Sequence, residues 1–463
     1  MFRKILILNR GEIACRVLRT ARRLGIATVA VYSDADASLP HVKQADEAVR
    51  LGPAPVKDSY LNLEAVTAAI RSSGAEAVHP GYGLLSESPR LARAVADAGA
   101  VFIGPSPDTL ERLGDKISAR ALARSVGVEP PPGSASPLDA NDRAGIEREA
   151  ERVGYPVIVK AAAGGGGIGM LVVREAAELA RAVKTCSDRA RQAFSDDRVY
   201  LERYLEKPRH IEVQVLVDRA DNAVALGERE CSVQRRHQKV LEESPSPAAF
   251  FSGDEGARRR AALFASAISV VRAANYEGAG TVEFVFDADG NAFFLEVNAR
   301  LQVEHPVTEM VTSLDLVEHQ LRIAAGEPLA SEVLAAKPSG HAVEVRVYAE
   351  DPSKNFMPQP GRLSVFEFPN EIEGVRVETG FEAGAEVTPY YDPLLAKVIA
   401  YGDTREAAMA RLDAALAKTR IELVGPKGPR VTNVAWLRSV LADSALRAGD
   451  YDTGICERLG ARS

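Results

Sequence analysis

A multidomain chain combining α/β and α+β units is predicted by three observations. An apolar strand, an amphipathic helix and a second apolar strand follow one another between residues 4 and 33. Hairpin-like segments carrying glycines and acids occupy the middle of the chain, and a fresh strand, HAVEVRVYAE, begins after Gly and Pro punctuation around 327–341. At 463 residues, 46% hydrophobic and 26% charged, the chain is long enough for roughly two to four domains with ample core. A formal net charge of −7 excludes the global basic footprint of a nucleic-acid binder. Cys15, Cys186, Cys231 and Cys456 form no CxxC pair, which argues against a zinc site or a disulfide framework and for a reducing, cytoplasmic setting. The apolar run 5–8 is far shorter than a signal-peptide core, and no stretch approaches a membrane span, so no membrane association is expected.

The segment KILILNRGEIACRVLRTARRLGIATVAVYS reads as a parallel βαβ unit, with Ile13, Val17, Leu18 and Ala21 on one side of its helix. Its first turn, Asn9-Arg10-Gly11-Glu12, has one glycine where a dinucleotide fingerprint has three, so the backbone cannot approach a pyrophosphate closely. Asp34 and Asp36 imitate a ribose-binding acid but read as a solvated loop. Further αβ alternation closes a first domain at residue 114. The stretch 127–142 reads as a linker, and helices are expected near 175–193 and 256–275 in a central α+β domain. A third domain of strands precedes a helix at 404–419.

The run 155–160 is a strand ending in Lys160, followed by four consecutive glycines, Gly164, Gly165, Gly166 and Gly167, and a second strand at 168–173. Such a hairpin flap can turn backbone N–H groups toward phosphate oxygens, with Lys160 as a point charge, or can serve as a glycine hinge. Both readings stay open on this segment alone.

In TVEFVFDADGNAFFLEVNAR two strand-like runs meet at Asp289-Gly290, a favoured pair for a two-residue hairpin turn. Facing residues then sum to 579, so Glu283 opposes Glu296, with Asn298 two residues along the same face. The other face pairs Val282 with Val297, Phe284 with Leu295 and Phe286 with Phe293, all apolar. Opposed carboxylates repel unless a cation sits between them, and hard oxygen ligands suit Mg²⁺. Continuing extended past Asn298 puts Arg300, Gln302 and Glu304 on that side, before His305-Pro306 ends the strand. A cation, an amide and a carboxylate in line suit a small oxyanion with a general base at one end; a surface ion pair is the alternative. In GERECSVQRRHQKVLEESP the local charge nearly cancels, leaving a solvated edge strand or a phosphate or ribose site. His210 alone reads as structural.

Together these segments resemble the biotin carboxylase family over nearly the whole chain. The motifs are NRGEIA at 9–14, HPGYGLLSE at 79–87, GDK at 114–116, GGGGIGM at 164–170, QRRHQK at 234–239, EVNARLQVEHPVTE at 296–309 and AEDP at 349–352. The resemblance implies a Rossmann-like N-terminal domain (1–114), an ATP-grasp domain (115–330, with a flap subdomain at about 131–204) and a β-rich C-terminal domain (336–446). It implies Lys116 and Lys160 on phosphates, Glu202 and Leu205 beside adenine, and His210, Gln234 and His237 on ribose and phosphates. Glu283, Glu296 and Asn298 match metal ligands for Mg²⁺ or Mn²⁺, and Arg300, Gln302 and the Val303 backbone match a bicarbonate site. Tyr82 matches a substrate contact.

The implied reaction uses ATP and bicarbonate. Glu304 takes the bicarbonate proton, carboxyphosphate forms with Lys239 offsetting charge, and Arg346 stabilises the biotin oxygen as the ureido nitrogen is carboxylated. None of the five methionines neighbours a lysine, so biotin is expected on a separate biotin carboxyl carrier protein, and carboxyltransferase subunits are expected as further partners. A homodimer is expected, as in relatives. Ile168 stands where acyl-CoA-type relatives place Arg or Lys, and GGGGIGM resembles the biotin carboxylase portion of urea carboxylases, leaving the final acceptor open between acyl-CoA and urea or amide types. The segment 421–433 is longer than the usual family turn. The competing readings are another ATP-grasp carboxylate–amine ligase and an inactive nucleotide-binding regulatory subunit.

Overall fold

The computed structural model describes residues 1–140, 142–163, 169–369 and 371–460. Its first layer is a five-stranded sheet in the order Glu47–Gly52, Ala27–Ser33, Lys4–Ile7, Ala77–His79, Val101–Phe102, with parallel pairing at each step the register records. The helix Gly11–Arg23 buries Ile13, Val17, Leu18 and Ala21, the stripe read from the sequence. Asp36 corrects the reading above. It is 1% exposed, accepts two bonds from the Arg10 guanidinium (2.9 and 2.7 Å) and one from the Tyr60 hydroxyl (2.6 Å), so it braces the turn instead of solvating it.

An eight-stranded sheet forms the centre. Its order is Ala292–Asn298, Gly278–Phe286, Arg209–Val217, Ala223–Arg235, Gln238–Ser244, His341–Tyr348, Leu394–Gly402, Val375–Thr379, with antiparallel pairing throughout. The strands holding residues 234–239 are therefore interior, not at a solvated edge. The helix Gly253–Ala273 covers one side with Leu263, Ala267, Val270 and Val271 against Val282, Phe284 and Phe294. The opposite, polar side carries the chemistry.

A separate three-stranded sheet, Leu171–Val173, Val157–Ala161, Val199–Arg203, packs under the helix Ala176–Phe194. Val157 opposes Val173, as a hairpin across 155–173 requires; its glycines and Ile168 lie outside the described residues. The 420–430 segment is a hairpin, Arg420–Gly425 with Gly428–Arg430, added to the strand Gly361–Glu367. Leu446, Tyr451, Ile455 and Cys456 pack into the C-terminal core.

Candidate active site

Four strands place charged residues in one row: Arg229 opposes Glu212, Glu212 opposes Glu283, and Glu283 opposes Glu296. The Glu283–Glu296 pairing and the 579 register hold through Thr281–Asn298 and then slip at a bulge, after which Phe284 faces Phe294, Val285 faces Phe293 and Phe286 faces Ala292. This corrects two expected pairs, Phe284 with Leu295 and Phe286 with Phe293. The connection is also longer than two residues: strands end at Phe286 and resume at Ala292, and the Asp287 carboxylate accepts the Asp289 and Asn291 N–H groups (3.0 and 2.9 Å). The bulged residue, Leu295, is thereby released from the apolar side and lines the polar-side pocket beside Val285.

Three carboxylates in register repel unless cations intervene. Lys239 supplies one, its ammonium donating to Glu212 (2.6 Å), Glu283 (2.9 Å) and Glu304 (2.6 Å). Arg229 grips Glu212 at 2.5 Å, His210 lies 3.0 Å from Glu283, and Lys116 pairs with Glu296. Burial works against ionisation of Glu283 and Glu304. Lys239 with His210 for the first, and Lys239 with Arg346 for the second, outweigh it and hold both carboxyls well below their ordinary range. Glu212 goes the other way: burial, joined by the like charges of Glu304 and Glu283, overcomes Lys239 and Arg229 and raises it.

Beyond Asn298 the backbone leaves the sheet. Residues 299–304 form a loop, and His305-Pro306 opens the helix His305–Thr312 instead of closing a strand. The expected neighbours still converge, because the loop folds back over the acid row. Arg300 donates to Asn298 (3.0 Å), Gln302 (2.9 Å) and Glu87 (2.9 Å), and Gln302 donates to Glu283 (3.1 Å). The Val303 carbonyl accepts from Lys397 (2.7 Å), while Glu304 meets Arg346 at 3.1 Å.

The adjoining cavity has a volume of about 590 Å³ and is lined by Lys116, Lys160, Glu202, Leu205, His210, Gln234 and His237. That volume lies within the usual range of small-molecule sites, about 300–1,000 Å³. Its mixture of apolar Ile158, Leu205, Val285 and Leu295 with two lysines fits a flat base joined to a polyanionic tail. Lys160 pairs with Glu202, which also holds Arg120. His237 and Arg236 form the two-residue turn between Arg235 and Gln238, both with left-handed backbone (φ 66° and 51°) where glycine or asparagine is the easy choice. The turn sets His237 at the pocket lip at a cost of about 1 kcal/mol for each residue. The oxygen donors of Glu283 and Glu296 suit a divalent cation shared with phosphates. His210, Glu212 and Glu283 also bring ligand atoms within 4.8 Å of one another. A larger cleft of about 920 Å³ lies elsewhere; its arginines are ion-paired, Arg16 with Glu309 and Asp315 and Arg23 with Asp315 and Glu318.

Tyr82 lies within electrostatic reach of Arg346. Its hydroxyl donates to Glu12, and Lys397, fully buried, reaches Glu12 at 3.2 Å. Asn9 donates to the carbonyls of Pro80 and Tyr82 (2.8 Å each), so the motifs at 9–14 and 79–87 are one device. Gly81 has φ +62°, and a Cβ there would lie 2.8 Å from the Asn9 amide nitrogen. Sequence reasoning missed Glu12, Glu87, Arg120, Glu212, Arg229 and Lys397. Glu212 was within reach, since alternation along RHIEVQV puts it on the His210 face; the others act through contacts distant in sequence.

Family models match three segments: biotin carboxylase, N-terminal domain (residues 1–110), carbamoyl-phosphate synthase L chain, ATP binding domain (115–332), and biotin carboxylase C-terminal domain (344–458). Biotin carboxylase 2 of Bacillus subtilis is 48% identical over 453 residues, covering 98% of each chain. The mitochondrial propionyl-CoA carboxylase alpha chain of Homo sapiens is 47% identical over 454 residues, and this chain spans 60% of that relative's length. A biotin carboxylase–β,γ-ATP complex from Campylobacter jejuni superposes with a TM-score of 0.93 at 38% identity, covering 99% of both chains. The biotin carboxylase domain dimer of Hydrogenobacter thermophilus 2-oxoglutarate carboxylase, described with MgADP, ADP and bicarbonate, gives 0.92 at 40% identity, covering 99% of this chain and 98% of that one. A three-unit fold of mixed α/β content around a nucleotide-sized cleft is thus joined to full-length kinship. The chain belongs to the biotin carboxylase family.

Proposed function

We propose that this chain carboxylates biotin borne on a separate carrier protein, using ATP and bicarbonate, in the first half-reaction of a biotin-dependent carboxylase. The observation that carries the reading is the Glu304 carboxyl group, held between Lys239 (2.6 Å) and Arg346 (3.1 Å) at the end of the acid row. Lys116, Lys160 and the glycines Gly164, Gly165, Gly166 and Gly167 hold the ATP phosphates. Glu202 and Leu205 border adenine, and His210, Gln234 and His237 contact ribose and phosphates. Glu283, Glu296 and Asn298 would hold Mg²⁺ or Mn²⁺, which would neutralise phosphate charge.

Arg300, Gln302 and the Val303 backbone orient bicarbonate. Glu304 takes its proton, and the freed oxyanion attacks the γ-phosphorus as ADP leaves. Lys239 offsets the charge of the carboxyphosphate so formed. Its breakdown gives CO₂ and phosphate; the phosphate takes the ureido N–H proton, the nitrogen bonds to CO₂, and Arg346 donates to the ureido oxygen while Tyr82 walls the substrate side. Units at 1–114, 115–330 and 336–446 divide the labour into substrate rim, nucleotide clamp and Arg346 support. A biotin carboxyl carrier protein, carboxyltransferase subunits and a second copy of this chain are the partners. A cytoplasmic location accords with four free cysteines, and no helix among the described residues is long and apolar enough to cross a membrane. Acyl-CoA and urea-type acceptors share this half-reaction.

The test is ADP release by the purified chain with Mg²⁺, bicarbonate and free biotin. Release that depends on both bicarbonate and biotin supports the reading, and turnover driven by an amine instead refutes it. Glu304→Gln is expected to abolish bicarbonate-dependent turnover while sparing ATP binding by calorimetry; undiminished turnover removes Glu304 as base.

A further inference from the structure

A second acid pair adjoins Arg346, and the steps above do not use it. Glu242 and Glu344 oppose each other directly across the strands Gln238–Ser244 and His341–Tyr348, both fully buried. Arg346 follows two residues after Glu344 on the same face and forms an ion pair with Glu242 as well as with Glu304. Neither Glu344 oxygen has a hydrogen-bond partner among the described residues. The groups facing the pair are Arg346 and Tyr348 from the Glu344 strand, Lys397 from Leu394–Gly402, Glu304 from the loop before the helix His305–Thr312, Lys239 from the Glu242 strand and the Cys231 thiol from Ala223–Arg235. Lys397 is committed to Glu12 and the Val303 carbonyl, and Lys239 is shared among Glu212, Glu283 and Glu304. Arg346 thus grips Glu242 and Glu304, Glu304 is also held by Lys239, and Glu344 faces Glu242 with no bonded cation of its own among the described residues. With no cation bonded to Glu344, the repulsion between the two opposed acids is relieved when one of them holds a proton.

We propose that Glu242 and Glu344 share a single proton and act as positioning residues for Arg346, one carboxylate gripping the guanidinium while the neutral partner leaves it free to donate to the biotin oxygen. Burial drives both acids up: Glu242 reaches about 7 even beside Arg346, and Glu344 rises well above the usual range despite Lys397. Loss of the shared proton places a second anion against the guanidinium and draws it away from the substrate.

This inference rests on the biotin carboxylation reading, so each outcome is a ratio between a variant and a parent shown to turn over with biotin; a parent inert toward biotin would strike at that reading instead. Glu344→Gln fixes the neutral form. The variant-to-parent ratio of kcat/KM for free biotin is expected to rise at least about threefold between about pH 6.5 and about pH 9, and a constant ratio overturns the proposal. Glu242→Gln is expected to raise the biotin KM about tenfold while the ATP and bicarbonate KM values move less than about twofold. A biotin KM unchanged, or raised no more than the other two, overturns it. Should Glu242→Gln fail to fold, Glu242→Asp, with its retracted carboxylate, is expected to give the same split, and equal KM changes for all three substrates count against the proposal.

Discussion

Glu243→Gln tests how the nucleotide-binding strands are tied to the C-terminal unit. The Glu243 carboxylate is fully buried and receives the Arg405 guanidinium (2.6 and 2.9 Å), the His341 ring (2.7 Å) and the Tyr451 hydroxyl (2.5 Å). Burial opposes its ionisation, but the bonds from His341 and Arg405 prevail and bring it from 4.5 down to about 2. At about 1.4 kcal/mol per tenfold in proton affinity, that difference corresponds to about 3 kcal/mol of stability. Arg405 also donates to the carbonyls of Leu446 and Arg447 (2.7 Å each), so the variant does not strand it, and the loss stays near that figure. A depressed carboxyl contributes fully above its unfolded value of about 4.5 and loses its contribution as pH falls toward about 2. Urea unfolding at neutral pH is expected to show the full deficit, shrinking once the pH drops below about 4.5. A deficit under about 1 kcal/mol at neutral pH, or one that stays constant into the acid range, would refute the reasoning.

Lys239→Met leaves Glu212, Glu283 and Glu304 without their common cation. Stability should fall by about 3–5 kcal/mol, with part restored by Mg²⁺ in a thermal melt; a melt insensitive to both changes contradicts the charge argument. Arg300→Ala removes charge-assisted donors worth about 1.5–3 kcal/mol each, so the bicarbonate KM in the ADP-release assay should rise roughly 10- to 100-fold with ATP nearly unaffected. An equal rise for ATP would place Arg300 elsewhere. Leu295→Asp puts a charge on the apolar wall that the bulge creates, and MgADP binding measured by calorimetry should weaken at least about tenfold; unchanged affinity would exclude Leu295 from the nucleotide contact.

The first helix, the acidic hairpin and its Glu283–Glu296 register were legible because period and alternation are local properties of the chain. Leu295 was not, since a bulge depends on which neighbour the strand must pack against. The loop at 299–304 was misread as strand, although its residues arrive where the extended reading put them: Arg300, Gln302 and Glu304 are drawn back by Glu87, Glu283 and Lys239, partners that no spacing rule connects. Asp36 failed for the same reason, its burial being decided by Arg10 and Tyr60. Glu202 matches an adenine contact through the family resemblance, while its bonds to Arg120 and Lys160 join residues 82 and 42 positions apart that only the fold brings together.

The strands from Asn298 to Arg346 form one unbroken hydrogen-bonded ladder. Because the same ladder of backbone bonds carries Glu283, Lys239 and Arg346, any spread between the phosphate end and the biotin end means tearing ladder bonds across several strands. The small sheet bearing Lys160 has its own ladder, so swivelling it breaks none of those rungs. The spacing between Glu283 and Arg346 is thus set by that ladder, like the gauge of a rail.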